Sequence, residues 1–113
     1  DGPSAGLAIT TAIVSLLLDI PIKNTIAMTG EIDLNGNALM IGGLEDKLYG
    51  AKQANVEKVL CPCANKKDLD LIMKKNPELK KMNVVMVNNI TEVIEHSFCE
   101  KEKSIKAIMK NNN

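Results

Sequence analysis

The chain has 113 residues, 45% of them hydrophobic, with 14 basic and 14 acidic side chains. That is one domain with enough apolar material for a core, and the charge balance argues against a nucleic-acid or anionic-membrane binder. Every basic residue is lysine and only Tyr49 and Phe98 are aromatic, which excludes bidentate arginine clamps, base-stacking platforms and aromatic cages.

The opening Asp1-Gly2-Pro3-Ser4 is neither a Met start nor the charged n-region of a signal peptide, so a piece of a longer polypeptide is expected. Ser4 to Leu18 reads as a helix, preceded by Gly2-Pro3 and closed by Asp19, Ile20 and Pro21. It is apolar nearly all round, which predicts a central, fully packed helix. Ala5 to Leu18 is shorter than the roughly 20 residues of a membrane span. Thr25 to Thr29 is a short β-like run. Asp33-Leu34-Asn35-Gly36-Asn37 carries an Asn-Gly turn signal, with Ala38 to Ile41 as the return strand. After Gly42-Gly43 a helix is expected from Leu44 to Ala54, then a strand from Val56 to Leu60. Asn65 looks like an N-cap and Asp68 like a first-turn acid, leading a helix to Lys75. Asn83 to Val87 is a further strand. Asn89 or Thr91 opens a last helix with Ile90, Val93, Ile94 and Phe98 at helical spacing. Glu100/Lys103 and Glu102/Lys106 would be exposed charge pairs on it, and Asn111 to Asn113 a frayed end. Alternating helices and strands put the chain in the α/β (α+β) class, helices packed on a small mixed sheet.

Three side chains stand out chemically. Ser4 lies among small residues at the expected start of an apolar helix. A helix N-terminus offers unpaired N–H groups suited to an oxyanion, but serine is also a favoured N-cap. Lys47 shares a helical stripe with Leu44, Ala51 and Ala54, while Glu45 and Lys52 face away. It either snorkels or is a buried lysine whose depressed pKa makes it a general base. Gly42-Gly43 would allow close backbone approach and hinder snorkelling. Thr29, beside Gly30, either orients a neighbour through its hydroxyl or expresses ordinary β-propensity. A serine and a lysine suffice for acyl transfer without histidine. His96 reads as a surface residue. Cys61, Cys63 and Cys99 read as structural thiols, since Cys-x-Cys spacing is poor for zinc.

These residues fall in four ordered blocks. Asp1-Gly2-Pro3-Ser4-Ala5-Gly6 resembles the nucleophile motif of the Lon protease family. Ala27-Met28-Thr29-Gly30-Glu31-Ile32 is similar to its next block, and Ile41-Gly42-Gly43-Leu44-Glu45-Asp46-Lys47 to its lysine block. Val59-Leu60 with Pro62, and Asn65-Lys66-Lys67-Asp68-Leu69, resemble a fourth. The resemblance runs from Asp1 to about Ile94, and it departs from the family at Met40 and Glu45.

The resemblance implies that residues 1–113 form the part of a Lon-type proteolytic domain from the serine motif to the C-terminus, with the family's N-terminal strands missing. It implies Ser4 as nucleophile, Lys47 as general base, Thr29 as the residue orienting the lysine, and Asp1 and Glu31 as acidic positions near the dyad. It further implies an ATP-dependent serine endopeptidase acting on unfolded or damaged polypeptides, usually as a homohexamer. ATP and Mg would be used by an AAA+ module upstream. This chain has no Walker motif, so no cofactor or metal is expected in it. Nucleic-acid or membrane binding is not expected either. The location implied is intracellular, the mitochondrial matrix or alternatively the bacterial cytoplasm. Two other readings compete: a non-catalytic assembly module of an ATPase, which has no reason to keep both Ser4 and Lys47, and a small α/β ligand-binding domain, which leaves the lysine unexplained.

Overall fold

The computed structural model describes residues 5–99. Helix α1 spans Gly6–Leu18, strand β1 Ile26–Met28, β2 Glu31–Ile32 and β3 Ala38–Leu39. Helix α2 spans Leu44–Gln53, strand β4 Lys58–Pro62, helix α3 Lys66–Lys75, strand β5 Val84–Val87 and helix α4 Ile90–Ser97. Short 3-10 turns at Cys63–Asn65 and Pro77–Lys81 flank α3. The expected charge pairs and polar end beyond Cys99 lie outside the described residues.

Strands β1, β4 and β5 form a parallel sheet in the order β1-β4-β5, and β2 and β3 form a separate antiparallel ribbon. The α/β class therefore holds, with the parallel and antiparallel pairings in two sheets. The return strand pairs with β2, Glu31 opposite Leu39 and Ile32 opposite Ala38. In β4, Val59 and Cys61 face a cluster with Leu44, Leu48, Ala51, Leu69, Ile72 and Leu79 from α2, α3 and the turn after α3. Leu60 faces the other side, with Leu7, Val87 and Val93. This period-two alternation is what a sheet covered on both faces requires. It produces three layers: α2 and α3, the sheet, then α1 and α4. A fully buried leucine such as Leu48 or Leu60 contributes on the order of 2–3 kcal/mol by burial.

Helix α1 departs from expectation. Only Leu7 and Thr11 are buried along it, while Leu16 and Leu17 are 81% and 80% exposed. Its inner side meets α4 and β2, and Val14 packs on Ile20, Ile94 and Phe98. Ala8, Ile9, Ala12, Ile13, Leu16 and Leu17 form an outward stripe. All-round apolarity calls for neighbours on every side, and the described residues supply them on one. Among the described residues no helix is long and apolar enough to cross a membrane.

The ribbon turn is organised by one carboxylate. Asp33 Oδ1 accepts from the Asn35 and Asn37 N–H groups, both at 2.9 Å, and Oδ2 accepts from Asn37 Nδ2 at 3.1 Å. These bonds, Asn37's backbone N–H foremost, lower the Asp33 pKa from 3.8. A carboxylate with a depressed folded pKa contributes stability above its ordinary range and loses it as pH falls through the folded value. The ribbon should thus stay ordered through pH 3.8 and loosen only below. An NMR titration of the Asn35 and Asn37 amides checks this, since a midpoint at or above that value would contradict it.

Candidate active site

The end of β1 is tied to α1 and β4 through the main chain. Leu7 N–H donates to the Gly30 carbonyl at 3.0 Å, and Thr29 N–H donates to the Leu60 carbonyl at 3.1 Å. Gly30 has φ +146°, and a Cβ there would stand 2.6 Å from Leu7 Cδ1 and 2.9 Å from Pro62 Cγ. The close approach that brings the start of α1 against β1 therefore needs glycine.

Between these elements and α2 lies a pocket of about 300 Å³, lined by Ala5, Ala8, Ala27, Met28, Thr29, Leu44, Lys47, Leu48, Ala51 and Val59. Its walls are mostly small and apolar. Its polar contributions come from Thr29 and Lys47, which the fold brings together from the end of β1 and the first turn of α2. Thr29 is buried, and its Oγ1 has no hydrogen-bond partner among the described residues. Leaving a hydroxyl buried and unsatisfied costs about 1–3 kcal/mol. Lys47 is half-buried, with Leu44, Leu48 and Ala51 buried around it. Ala54, expected on the same stripe, is exposed, because the helix ends at Gln53.

Ser4 and Asp1 lie outside the described residues. The N-cap of α1 falls on Ala5, which makes no side-chain cap bond, and Ala5 lines the pocket. Glu31 does not line it. Its Oε1 accepts from the Ile32 N–H at 3.1 Å, and a Cβ on Gly6 would collide with that carboxylate. The acid thus faces the N-terminal turn of α1, where negative charge is favoured. The glycines before α2 also differ from expectation. A Cβ at Gly42 or Gly43 would meet nothing within 4 Å, and Gly43 is required for its φ of +68° instead. Open solvent around this turn removes the close approach expected there.

The remaining candidates lie elsewhere. His96 is half-buried, with Nδ1 3.3 Å from Lys58 Nζ, away from the pocket lining. Cys61 is buried while Cys63 and Cys99 are half-buried. Burial, with smaller contributions from Cys63 and Asp68, pushes the Cys61 thiol up to about 12, which suits an inert core thiol. Among the described residues no three His, Cys, Asp or Glu side chains converge to hold a metal. The sequence reading placed Leu44 and Ala51 beside Lys47 but missed the other pocket walls. Ala27 and Val59 were readable from strand alternation, since both face α2. Ala8 and Met28 had no local signal.

Comparison with known proteins converges on the same blocks. Residues 1–100 match the model of the Lon protease (S16) C-terminal proteolytic domain. A Lon protease of Rickettsia bellii is 47% identical over 102 residues, covering 89% of this chain and 13% of that protein. One from Aquifex aeolicus is 44% identical over 108 residues, covering 94% of this chain and 13% of that protein. One from Nitratidesulfovibrio vulgaris is 44% identical over 105 residues, with 93% and 12% covered. The chain thus spans about an eighth of the length of these relatives. A match that runs through the serine, threonine and lysine blocks together, over nearly the whole chain, places it in the Lon protease C-terminal proteolytic domain family.

Proposed function

We propose that this chain is the dyad-bearing part of an ATP-dependent serine endopeptidase. The observation that carries the reading is a single pocket lined by Lys47, Thr29 and Ala5, with a buried Thr29 hydroxyl that has no partner among the described residues. Ser4 immediately precedes Ala5 in the chain. The Ser4 hydroxyl attacks the peptide carbonyl while the Lys47 amine takes its proton. The developing oxyanion is held by backbone N–H groups around the nucleophile. Collapse of the tetrahedral intermediate breaks the C–N bond, and the Lys47 ammonium returns the proton to the leaving amine. Water, deprotonated by Lys47, then hydrolyses the ester and frees Ser4. Thr29 orients the lysine by its hydroxyl. Glu31, against the first turn of α1, and Asp1 bias the charge near the dyad.

The substrates in this reading are unfolded or damaged polypeptides. The chain works within a homohexamer, fed by an AAA+ module elsewhere in the same protein that uses ATP and Mg. Family membership supports an intracellular location. The relatives named above are bacterial proteins, so they do not favour the mitochondrial matrix over the bacterial cytoplasm.

The test is covalent labelling of the intact protein by a serine-directed peptidyl phosphonate, read by intact mass. A stoichiometric adduct on Ser4 that disappears in Lys47→Ala is expected. No adduct on the folded, oligomeric protein would overturn the peptidase reading and favour the assembly module.

A further inference from the structure

We infer that Asn65 is a positioning residue for Lys47: its buried amide clamps the main chain of Ile41 and thereby sets where α2 begins. Its catalytic consequence rests on the peptidase reading above; its geometry does not.

Asn65 is fully buried and occupies the N-cap position of α3, yet makes no side-chain cap bond. Its side chain points instead to a segment 24 residues earlier. Oδ1 accepts from the Ile41 N–H at 3.0 Å, and Nδ2 donates to the Ile41 carbonyl at 2.9 Å. Nδ2 also donates to Asp68 Oδ2 at 3.2 Å. The amide satisfies both main-chain groups of one residue, as a neighbouring strand would. The carboxamide offers a donor and an acceptor on neighbouring separate atoms, as this two-bond contact needs, and a carboxylate lacks the donor. Serine or aspartate would serve an N-cap equally well.

The clamp adds a directional hold on the main chain of a residue whose side chain is already buried in the cluster with Leu44 and Leu48. Met40 is 60% exposed. Gly42 and Gly43 are exposed, with no atom within 4 Å of where a Cβ would lie. Two consecutive glycines have more accessible backbone conformations than any other pair, so the glycines' own packing does not select the turn between buried Ile41 and buried Leu44. Gly43 in turn accepts the Lys47 N–H through its carbonyl at 3.3 Å. The clamp on Ile41 is therefore passed to Lys47 through two glycines and one helical turn. Loosening it would let the first turn of α2 shift against β1, moving Lys47 relative to Thr29. Displacing a catalytic group by about 1 Å can cost on the order of 100-fold in rate.

The experiment uses the intact protein, with Asn65→Ala and the near-isosteric Asn65→Asp, which keeps the acceptor for Ile41 N–H and loses the donor. Peptidase kcat is measured per folded molecule alongside KM. In parallel, limiting acylation by an amine-reactive anhydride is read by peptide mass as the ratio of Lys47 to the exposed Lys52 on the same helix. Expected are a kcat loss of about 10-fold or more with KM within about twofold, and an altered Lys47/Lys52 ratio in the same variants. With turnover present, unchanged values of both, or a change in one without the other, overturn the inference. Should the unsubstituted protein show no turnover dependent on Ser4 and Lys47, the peptidase reading fails by itself. The acylation ratio then decides the positioning role: an altered ratio upholds it and an unchanged one overturns it.

Discussion

Lys47→Ala in the intact protein is expected to lower kcat/KM for a peptide substrate by about 10⁴-fold or more, and Ser4→Ala by a similar factor. The two are members of one proton-transfer unit, so the double variant should be no worse than either single one. The loss should fall on kcat, because the pocket's apolar walls at Leu44, Leu48 and Val59 remain to bind substrate. Thr29→Val keeps the β-branched shape at a position 7% exposed and removes only the hydroxyl. It should leave the fold stable, since that hydroxyl has no hydrogen bond among the described residues to lose. Its kcat should nonetheless drop by about 10- to 100-fold, the range for disturbed orientation. Steady-state kinetics on the four variants decide the matter. Substantial turnover by Lys47→Ala would remove the dyad, and a Thr29→Val enzyme with full kcat would remove the orienting role.

Gly30→Ala should be the most damaging small substitution for the fold. Its φ of +146° is a region side chains rarely adopt, and the added methyl would press on Leu7 and Pro62, both fully buried. Backbone strain costs about 1–3 kcal/mol, and overpacking a dense core costs about as much again. Relief requires moving the start of α1 and breaking the Leu7–Gly30 main-chain bond. Thermal unfolding should shift down by about 10 °C or more, at the sensitivity of a domain this size. Gly50→Ala is the control. Gly50 lies within α2 with nothing within 4 Å of an added Cβ, so alanine should be neutral or stabilise by about 0.5–1 kcal/mol through helix propensity. Equal melting of the two variants would mean that Gly30 is not needed for the approach of α1 to β1.

Much of the architecture was readable from local pattern. The near-continuous apolar runs at 59–62 and 84–87 state two-faced burial, although the first strand runs Lys58–Pro62, two residues later than the Val56 to Leu60 expected. The end of α1 was readable from Asp19 and Pro21. Asn89 was readable as a cap, and its Oδ1 does accept the Glu92 N–H at 3.0 Å. Partner choice was not readable. The Asn-Gly turn announces a hairpin, but that β3 would pair with β2, and β1 in parallel with β4, depends on contacts distant in sequence. Nor does apolarity along α1 state how many sides are covered.

The sequence by itself determined the family, through four ordered blocks, and the elements whose periodicity records their own burial. It also singled out Lys47, because a charge on an apolar stripe is a local contradiction visible without coordinates. Tertiary structure alone decided that Thr29 and Lys47 share one pocket, that Glu31 faces the start of α1 rather than that pocket, and that Asn65 turns from its own helix to Ile41. The physical reason is the same in each case. Periodicity encodes which face of an element is buried, whereas the partner of a buried hydroxyl, carboxylate or amide is set by which other element the chain brings within hydrogen-bonding reach.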